Sequence, residues 1–250
     1  MNRAFLAAAV LVAVATGPAF AADHIKLEEG LPIETESATP TPYLGREFQS
    51  IFRYQLDDDG TDSLLITPRV EIGFPRNSEV SIAVPYLSGE IEPDGLREVE
   101  LEFKHNINQE TLLLPTMSLA VGADFPTGSD THGVDPFVKF LATKTLSRDF
   151  RFHQAHFNYY HQFNDDVQSD ERSDRYKISA AYSTRLSNET TWLAGITREQ
   201  EREEDVELNL VETGLRYQLT PRSVLSGGVG FGIGDESPDV RATFGFQVSF

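Results

Sequence analysis

Three histidines crowd one stretch of the chain, Phe152-His-Gln-Ala-His-Phe-Asn-Tyr-Tyr-His-Gln-Phe163. Histidine can bind a metal or act as a general base, so His153, His156 and His161 are the first place to look for a reaction. The apolar residues here alternate, and a strand sends alternate side chains to opposite faces. His153 and His161 then share one face, and His156 takes the other. One ion would need ligands from a neighbouring strand as well. His156, with Asn158, Tyr160 and Gln162, fits a polar interior. His161, with Tyr159 and Phe163, fits an aromatic belt. The chain has no Gly-x-Ser-x-Gly elbow and no His-Glu-x-x-His pair. A lipid-modifying enzyme would need a serine brought against one of these rings by the fold. The acidic run Asp57-Asp-Asp-Gly-Thr-Asp62 lacks the ligand spacing and closing glutamate of an EF-hand. We therefore expect no catalytic residue, no cofactor and no dedicated metal site.

The second chemical feature is charge set opposite apolar residues. Glu98, Glu100, Glu102 and Lys104 alternate with Val99, Leu101 and Phe103. Arg69 and Glu71 oppose Val70 and Ile72. Lys139 lies between Val138 and Phe140. Arg175, Lys177 and Arg185 stand opposite Tyr176, Ile178 and Tyr182, and Arg241 alternates with Val240 and Ala242. If the apolar faces point one way, these residues and His156 line a common interior. Interior charge must be paired or hydrated. A packed lumen and an aqueous path both satisfy that rule; an aqueous path is the expectation carried forward.

The elements that must position these charges are strands. From Glu47 onward about twelve segments of roughly ten residues alternate with period two. The clearest runs Leu64, Ile66, Val70, Ile72 and Phe74 against Leu65, Thr67, Arg69, Glu71 and Gly73. The fifth is read as Leu113, Met117, Leu119, Val121 and Phe125, and the tenth as Val211, Leu215, Tyr217 and Leu219. Around Leu210 the tenth changes parity, which predicts a bulge there or places Leu208 and Leu210 above the membrane. Pro68, Pro85 and Pro115 disturb local pairing, since proline cannot donate to a ladder. Ten residues at roughly 3.3 Å each, tilted near 40°, rise about 25 Å, the height of a bilayer's apolar band.

The joins sort into two kinds. Residues 75–78, 106–111, 146–149, 186–190 and 220–223 make short turns. Residues 57–62, 90–95, 126–135, 164–174, 198–205 and 234–239 are mostly longer and acidic. Odd-to-even joins are acidic and even-to-odd joins are tight. The pattern predicts an all-β fold: a closed antiparallel transmembrane barrel of about twelve strands, with short periplasmic turns and longer acidic extracellular loops. The glycines of Ser226-Gly-Gly-Val-Gly-Phe-Gly-Ile-Gly234 precede no helical pattern, so they mark wall curvature or close packing rather than a phosphate loop.

A formal charge of −18 argues against nucleic acid as a partner. The expected partners are outer-membrane lipid, lipopolysaccharide bridged to the acidic loops by divalent cations, the assembly machinery, and a small solute. Asn2-Arg3, the apolar run from Ala4 to Val14 and Ala19-Phe-Ala21 read as a signal peptide, 1–21, rather than an anchor. Residues 22–46 are expected to be a periplasmic segment and 47–250 the barrel. There is no cysteine, so no disulfide holds the fold.

The chain ends Phe244-Gly-Phe-Gln-Val-Ser-Phe250. This resembles the closing strand of bacterial outer-membrane barrels, with Phe244, Phe246, Val248 and Phe250 facing lipid. Charge at Phe246 should then block assembly, and charge at Gln247 should be tolerated. Phe125-Pro-Thr-Gly-Ser-Asp130, followed by Asp135-Pro-Phe-Val-Lys-Phe140, resembles a region of the MetA-type phenol meta-pathway barrel family of outer-membrane transporters. Pro32-Ile-Glu-Thr-Glu36 and Arg46-Glu-Phe-Gln49 add to the likeness. The resemblance implies an exported barrel that moves small compounds, aromatic ones included, and it transfers no site residues. A passive channel or facilitator is the expected function. A surface-binding barrel acting through its acidic loops is the alternative, and a lipid-modifying enzyme a more distant one.

Overall fold

The computed structural model describes residues 21–57, 60–90, 94–128 and 133–250. Most of the 1–21 segment, and parts of three acidic loops including Ser129 and Asp130, lie outside those residues. The strands are β1 (Arg46–Leu56), β2 (Asp62–Phe74), β3 (Ser78–Ala83), β4 (Tyr86–Gly89), β5 (Gly95–Leu96), β6 (Val99–Asn108) and β7 (Thr116–Phe125). They continue with β8 (Asp135–Ser147), β9 (His153–Phe163), β10 (Asp174–Arg185), β11 (Thr190–Gln200), β12 (Glu207–Thr220), β13 (Ser223–Gly232) and β14 (Val240–Ser249).

Fourteen segments build twelve wall strands. β3 and β4 are two halves of one strand, both paired with β2 and broken at Val84-Pro85. β5 and β6 are likewise halves of the next. Proline explains the first break, because Pro85 has no N–H for the ladder. Its carbonyl still accepts from Arg97 N–H at 2.9 Å, and Pro68 O accepts from Val84 N–H at 3.0 Å. Every neighbour is antiparallel, and β1 pairs with both β14 and β2. The wall is a closed twelve-strand barrel; among the described residues only the two-residue β5 lacks a second neighbour, so no long edge is left to template aggregation.

Alternation decides which side chains leave the wall. Phe244, Val229, Leu215, Ile196, Phe157, Val138, Val121, Phe103 and Val70 are exposed on the outside. Their neighbours along each strand, including Thr243, Glu212, Lys139, Glu102, Lys104 and Arg69, are buried inside. Rings cluster on the outer face near both ends: Tyr182 meets Trp192 with centroids 6.2 Å apart, and His161 meets Phe163 at 4.7 Å. The apolar outside and charged inside invert the layout of a water-soluble barrel.

Two local expectations are revised. Of the two alternatives at Leu210, the bulge is overturned: β12 runs without one there, and its irregularity lies at Gln218/Thr220. Leu208 and Leu210 simply point inward and are buried. Leu113 belongs to the turn between β6 and β7, not to a strand.

The largest departure concerns the segment before the wall. Sequence pattern set 22–46 apart from the barrel; the structure places 22–42 inside it. Ala22 N–H donates to Pro221 O in the β12–β13 turn, at 3.0 Å. The chain rises into the lumen, turns where Leu31 N–H meets Glu28 O at 3.0 Å, and returns. It leaves at the same short-turn rim, beside the β2–β3 turn, where Leu44 N–H donates to Gly73 O at 3.2 Å. Both ends of this internal loop therefore lie at the short-turn end.

Candidate functional site

The lumen is a shell of inward charge closed around the internal loop. Three loop carboxylates face wall cations, and a fourth pairs within the loop. Glu34 takes Arg53 at 2.6 Å, Arg241 at 3.2 Å and Lys177 at 3.3 Å. Glu29 takes Lys139 at 2.8 Å, Arg69 at 3.1 Å and Lys177 at 3.5 Å. Glu36 receives Lys104 at 3.0 Å, and Glu28 pairs with Lys26 of its own loop at 3.1 Å. Lys26 also reaches the wall acids Glu71 and Glu79, each at 3.5 Å. Buried charges are tolerated here because each has an opposite partner and further hydrogen bonds.

Arg216 holds the loop by its backbone. Its guanidinium is 0% exposed. It donates to His24 O at 3.3 Å, Leu31 O at 3.1 Å and Asp23 O at 3.3 Å. Ser226 Oγ at 3.4 Å and Gln247 Oε1 at 2.6 Å take its other donors. That uses all five N–H groups of an arginine. Gln247 in turn donates to Glu47 at 2.5 Å and Glu28 at 3.2 Å. The tolerance for charge expected at Gln247 is therefore lost: a buried knot, not open water, surrounds it.

The inward residues named from sequence fall in different places. Arg69, Lys104, Lys139, Lys177 and Arg241 contact the loop directly, and so does Glu71, which accepts from Thr41 at 3.2 Å and pairs with Lys26 at 3.5 Å. Glu102 pairs with Lys139 at 2.7 Å, and Glu100 with Arg69 at 3.2 Å. Glu98 sits in the break between β5 and β6. Arg175 donates to Gln162 at 2.7 Å. Arg185 caps Phe150 and Phe152 at the short-turn rim, 6.0 and 5.7 Å from their rings, away from the loop. Arg53, Arg216, Glu47, Glu79 and Glu212 also belong to the shell. Parity alone could have found them, because each alternates with an outward apolar or aromatic neighbour.

Glycines make room for the loop's apex. A Cβ on Gly214 would lie 2.5 Å from Pro32 Cγ, and one on Gly228 3.0 Å from Pro32 Cβ. One on Gly245 would collide with Leu31 Cδ2. Gly214 and Gly228 are register partners on β12 and β13, and Gly245 is on β14. Three adjacent strands thus drop their side chains where the Leu31-Pro32 corner presses on the wall.

Beyond the loop lies a vestibule of about 90 Å³, lined by Glu29, Glu100, Tyr160, Gln162, Arg175 and Lys177 among others. Below it the packing leaves about 10 Å³ beside Glu34, Glu36 and Asn158. The lumen is therefore packed rather than open, in contrast to the expected aqueous path. At the long-loop end Arg202 ties three loops together. It meets Asp135 at 2.7 Å, Glu171 at 3.0 Å and the carbonyl of Asp165 at 2.9 Å. Burial, reinforced by the Glu199 carboxylate, pushes Glu201 in this region up to about 7.

Two carboxylate triplets, Glu28–Glu47–Glu71 and Glu29–Glu100–Glu102, are close enough to hold an ion. Each already contains a protein cation, Lys26 in the first and Arg69 with Lys139 in the second. The histidines do not converge. His156 accepts or donates between Thr143 at 3.2 Å and Ser183 at 3.0 Å. A serine does reach a histidine, but both are buried in the wall and neither of the ring's two partners is a carboxylate. His153 contacts Tyr182, and His161 stacks on Tyr159.

These features define a transmembrane β-barrel of the outer-membrane type. No family model and no curated protein matches the chain, so the likeness to the MetA-type family rests on the motifs themselves. Solved structures do match in fold. An outer-membrane channel from Pseudomonas putida F1 superposes with TM-score 0.71, covering 90% of this chain and 100% of that one at 12% identity. The KdgM porin, solved with disordered oligogalacturonate, gives 0.58 over 81% and 99% at 12% identity. The NanC porin gives 0.56 over 82% and 98% at 11%.

Proposed function

We propose that the chain is a passive outer-membrane channel for small solutes, closed by its own N-terminal segment. The observation that carries this is the chemistry of the contact between segment and wall. It is built largely from ion pairs and hydrogen bonds; its apolar share is Leu27 and Ile33 against Ala181 and Leu193, and the Leu31-Pro32 corner against the wall glycines. Water can replace polar contacts at modest net cost, whereas it cannot replace an apolar core. The segment can therefore leave the wall without unfolding it. A closed wall supports itself in the segment's absence. Similar barrels are described as a channel and as porins, which supports the same class.

Cleavage after Ala21 fits this reading, because Ala22 begins at the short-turn rim. The solute class is a finer proposal: the MetA-type resemblance favours small aromatic compounds, and the vestibule offers the Tyr160 ring beside Lys177 and Arg175. The test is conductance in planar bilayers for the full mature chain and for a chain lacking 22–42. The full chain should conduct little, and the shortened one should give large, steady steps. A shortened barrel that keeps its gel shift on heating but does not conduct would overturn the proposal.

A further inference from the structure

The turn between β6 and β7 displays Leu112, Leu113 and Leu114 at 95%, 89% and 55% exposure. Three consecutive leucines exposed from the protein would be poorly solvated by water, and contiguous exposed apolar surface marks an interaction site. The turn is also firmly held. Thr111 N–H donates to Leu114 O, and Leu114 N–H to Thr111 Oγ, both at 3.0 Å. Asn108 donates to Pro115 O at 2.8 Å. Lys144 Nζ reaches Thr111 O at 2.6 Å, Leu112 O at 3.1 Å and Glu110 at 3.1 Å.

Lys144 gives the direction. It shares a face of β8 with Val138, Phe140 and Ala142, the outward face. A turn fastened to that residue curls over the outside of the wall rather than across the mouth. The outer surface next to it carries exposed Ile107, Leu119 and Leu146. The leucines thus continue the barrel's apolar band toward the short-turn rim. Lys144 and exposed Arg148 stand at the same level, each within 4 Å of Glu110.

We infer that the 109–115 turn is a membrane anchor. Leu112, Leu113 and Leu114 lie among acyl chains at the edge of the leaflet on the short-turn side. Lys144 and Arg148 hold the headgroup level, as long basic side chains do at bilayer interfaces. The anchor fixes the depth and tilt of this sector of the wall. It rests on the membrane-spanning reading proposed above.

The chain has no cysteine, so single thiols can be placed without background. Leu112→Cys on the turn, Val121→Cys in the apolar band and Arg222→Cys on the short β12–β13 turn would each carry a polarity-sensitive NBD label. The barrels are reconstituted in phosphatidylcholine vesicles containing lipids brominated near the headgroup or near the chain end. The Val121 label should be blue-shifted and quenched, and the Arg222 label should do neither. The Leu112 label should be blue-shifted and quenched more by the shallow bromines than by the deep ones. A Leu112 label as wet as the one at Arg222, beside a quenched label at Val121, overturns the anchor and leaves the channel standing. That result would make the turn a protein-docking site instead. No quenching at Val121 overturns the membrane reading itself.

Discussion

Glu34 is the residue on which the closed state should depend most. Replacing it by glutamine keeps its shape and removes one charge. Arg53, Arg241 and Lys177, at 2.6, 3.2 and 3.3 Å, then lose a shared anion. Lys177 retains Glu29 at 3.5 Å, and Arg241 retains Gln55 at 3.0 Å. Arg53 has no second salt-bridge partner among the described residues. Removing one member of a buried ion cluster costs about 3–5 kcal/mol. With the segment withdrawn, the same cations are hydrated and the penalty disappears, so it falls on the closed state alone. At about 1.4 kcal/mol per factor of ten, opening should rise by roughly a hundredfold or more, and the remaining partners place it at the low end of the range. The assay is single-channel open probability of Glu34→Gln against the parent chain, with heat-modifiable gel mobility as the folding control. Adding Arg241→Gln removes one stranded cation and should return part of the effect. An open probability within threefold of the parent, in a folded barrel, would refute the assignment of Glu34 as the latch.

Three more outcomes follow from the same geometry. Phe246→Arg puts charge on the lipid face beside Phe48, whose ring lies 5.8 Å away, and should block assembly at a cost of about 2–4 kcal/mol near the midplane; normal yield of heat-modifiable barrel would contradict the parity. A Cβ at Gly228 would meet the wall carbonyl of Thr213 at 2.8 Å as well as Pro32, so Gly228→Val should strain β12 and crowd out Pro32, raising conductance in the barrels that keep their gel shift; unaltered conductance in such barrels would mean the apex repacks. In the β6–β7 turn, burial alone would raise Glu110, but hydrogen bonds from Thr145 and Lys144 outweigh it and hold its carboxyl below the usual range. A depressed acid stabilises above its unfolded pKa and loses that contribution as pH falls through its folded value. Exchange protection of Thr145 N–H, bonded to Glu110 at 2.8 Å, should therefore persist at pH 6 and drop in strong acid; Glu110→Gln should flatten the profile, and a parent profile already flat would count against the contact.

Much of the fold was legible because a membrane wall writes itself into local pattern. Period-two alternation fixes which face of each strand meets lipid, and the sorting of joins into tight and acidic fixes strand count and closure. Val138, Phe140 and Ala142 against Lys139 are readable without knowing any neighbour. The parity that exposed Arg69 and Lys104 would equally have exposed Arg53 and Arg216, had both faces been read.

What filled the barrel was not legible. Residues 22–42 have no periodicity and few large apolar residues, so nothing local distinguishes a buried segment from a solvated one. Their burial is set by partners far along the chain: Glu34 by Arg53, Lys177 and Arg241, and Arg216 by the carbonyls of Asp23, His24 and Leu31. An inward charge looks the same in sequence whether it faces water or a carboxylate, because alternation records direction and not distance. Sequence alone thus determined the wall and its two faces. Only the tertiary structure decided that the lumen is packed, since that depends on long-range pairing of charges and on glycines at 214, 228 and 245 leaving space for Leu31-Pro32.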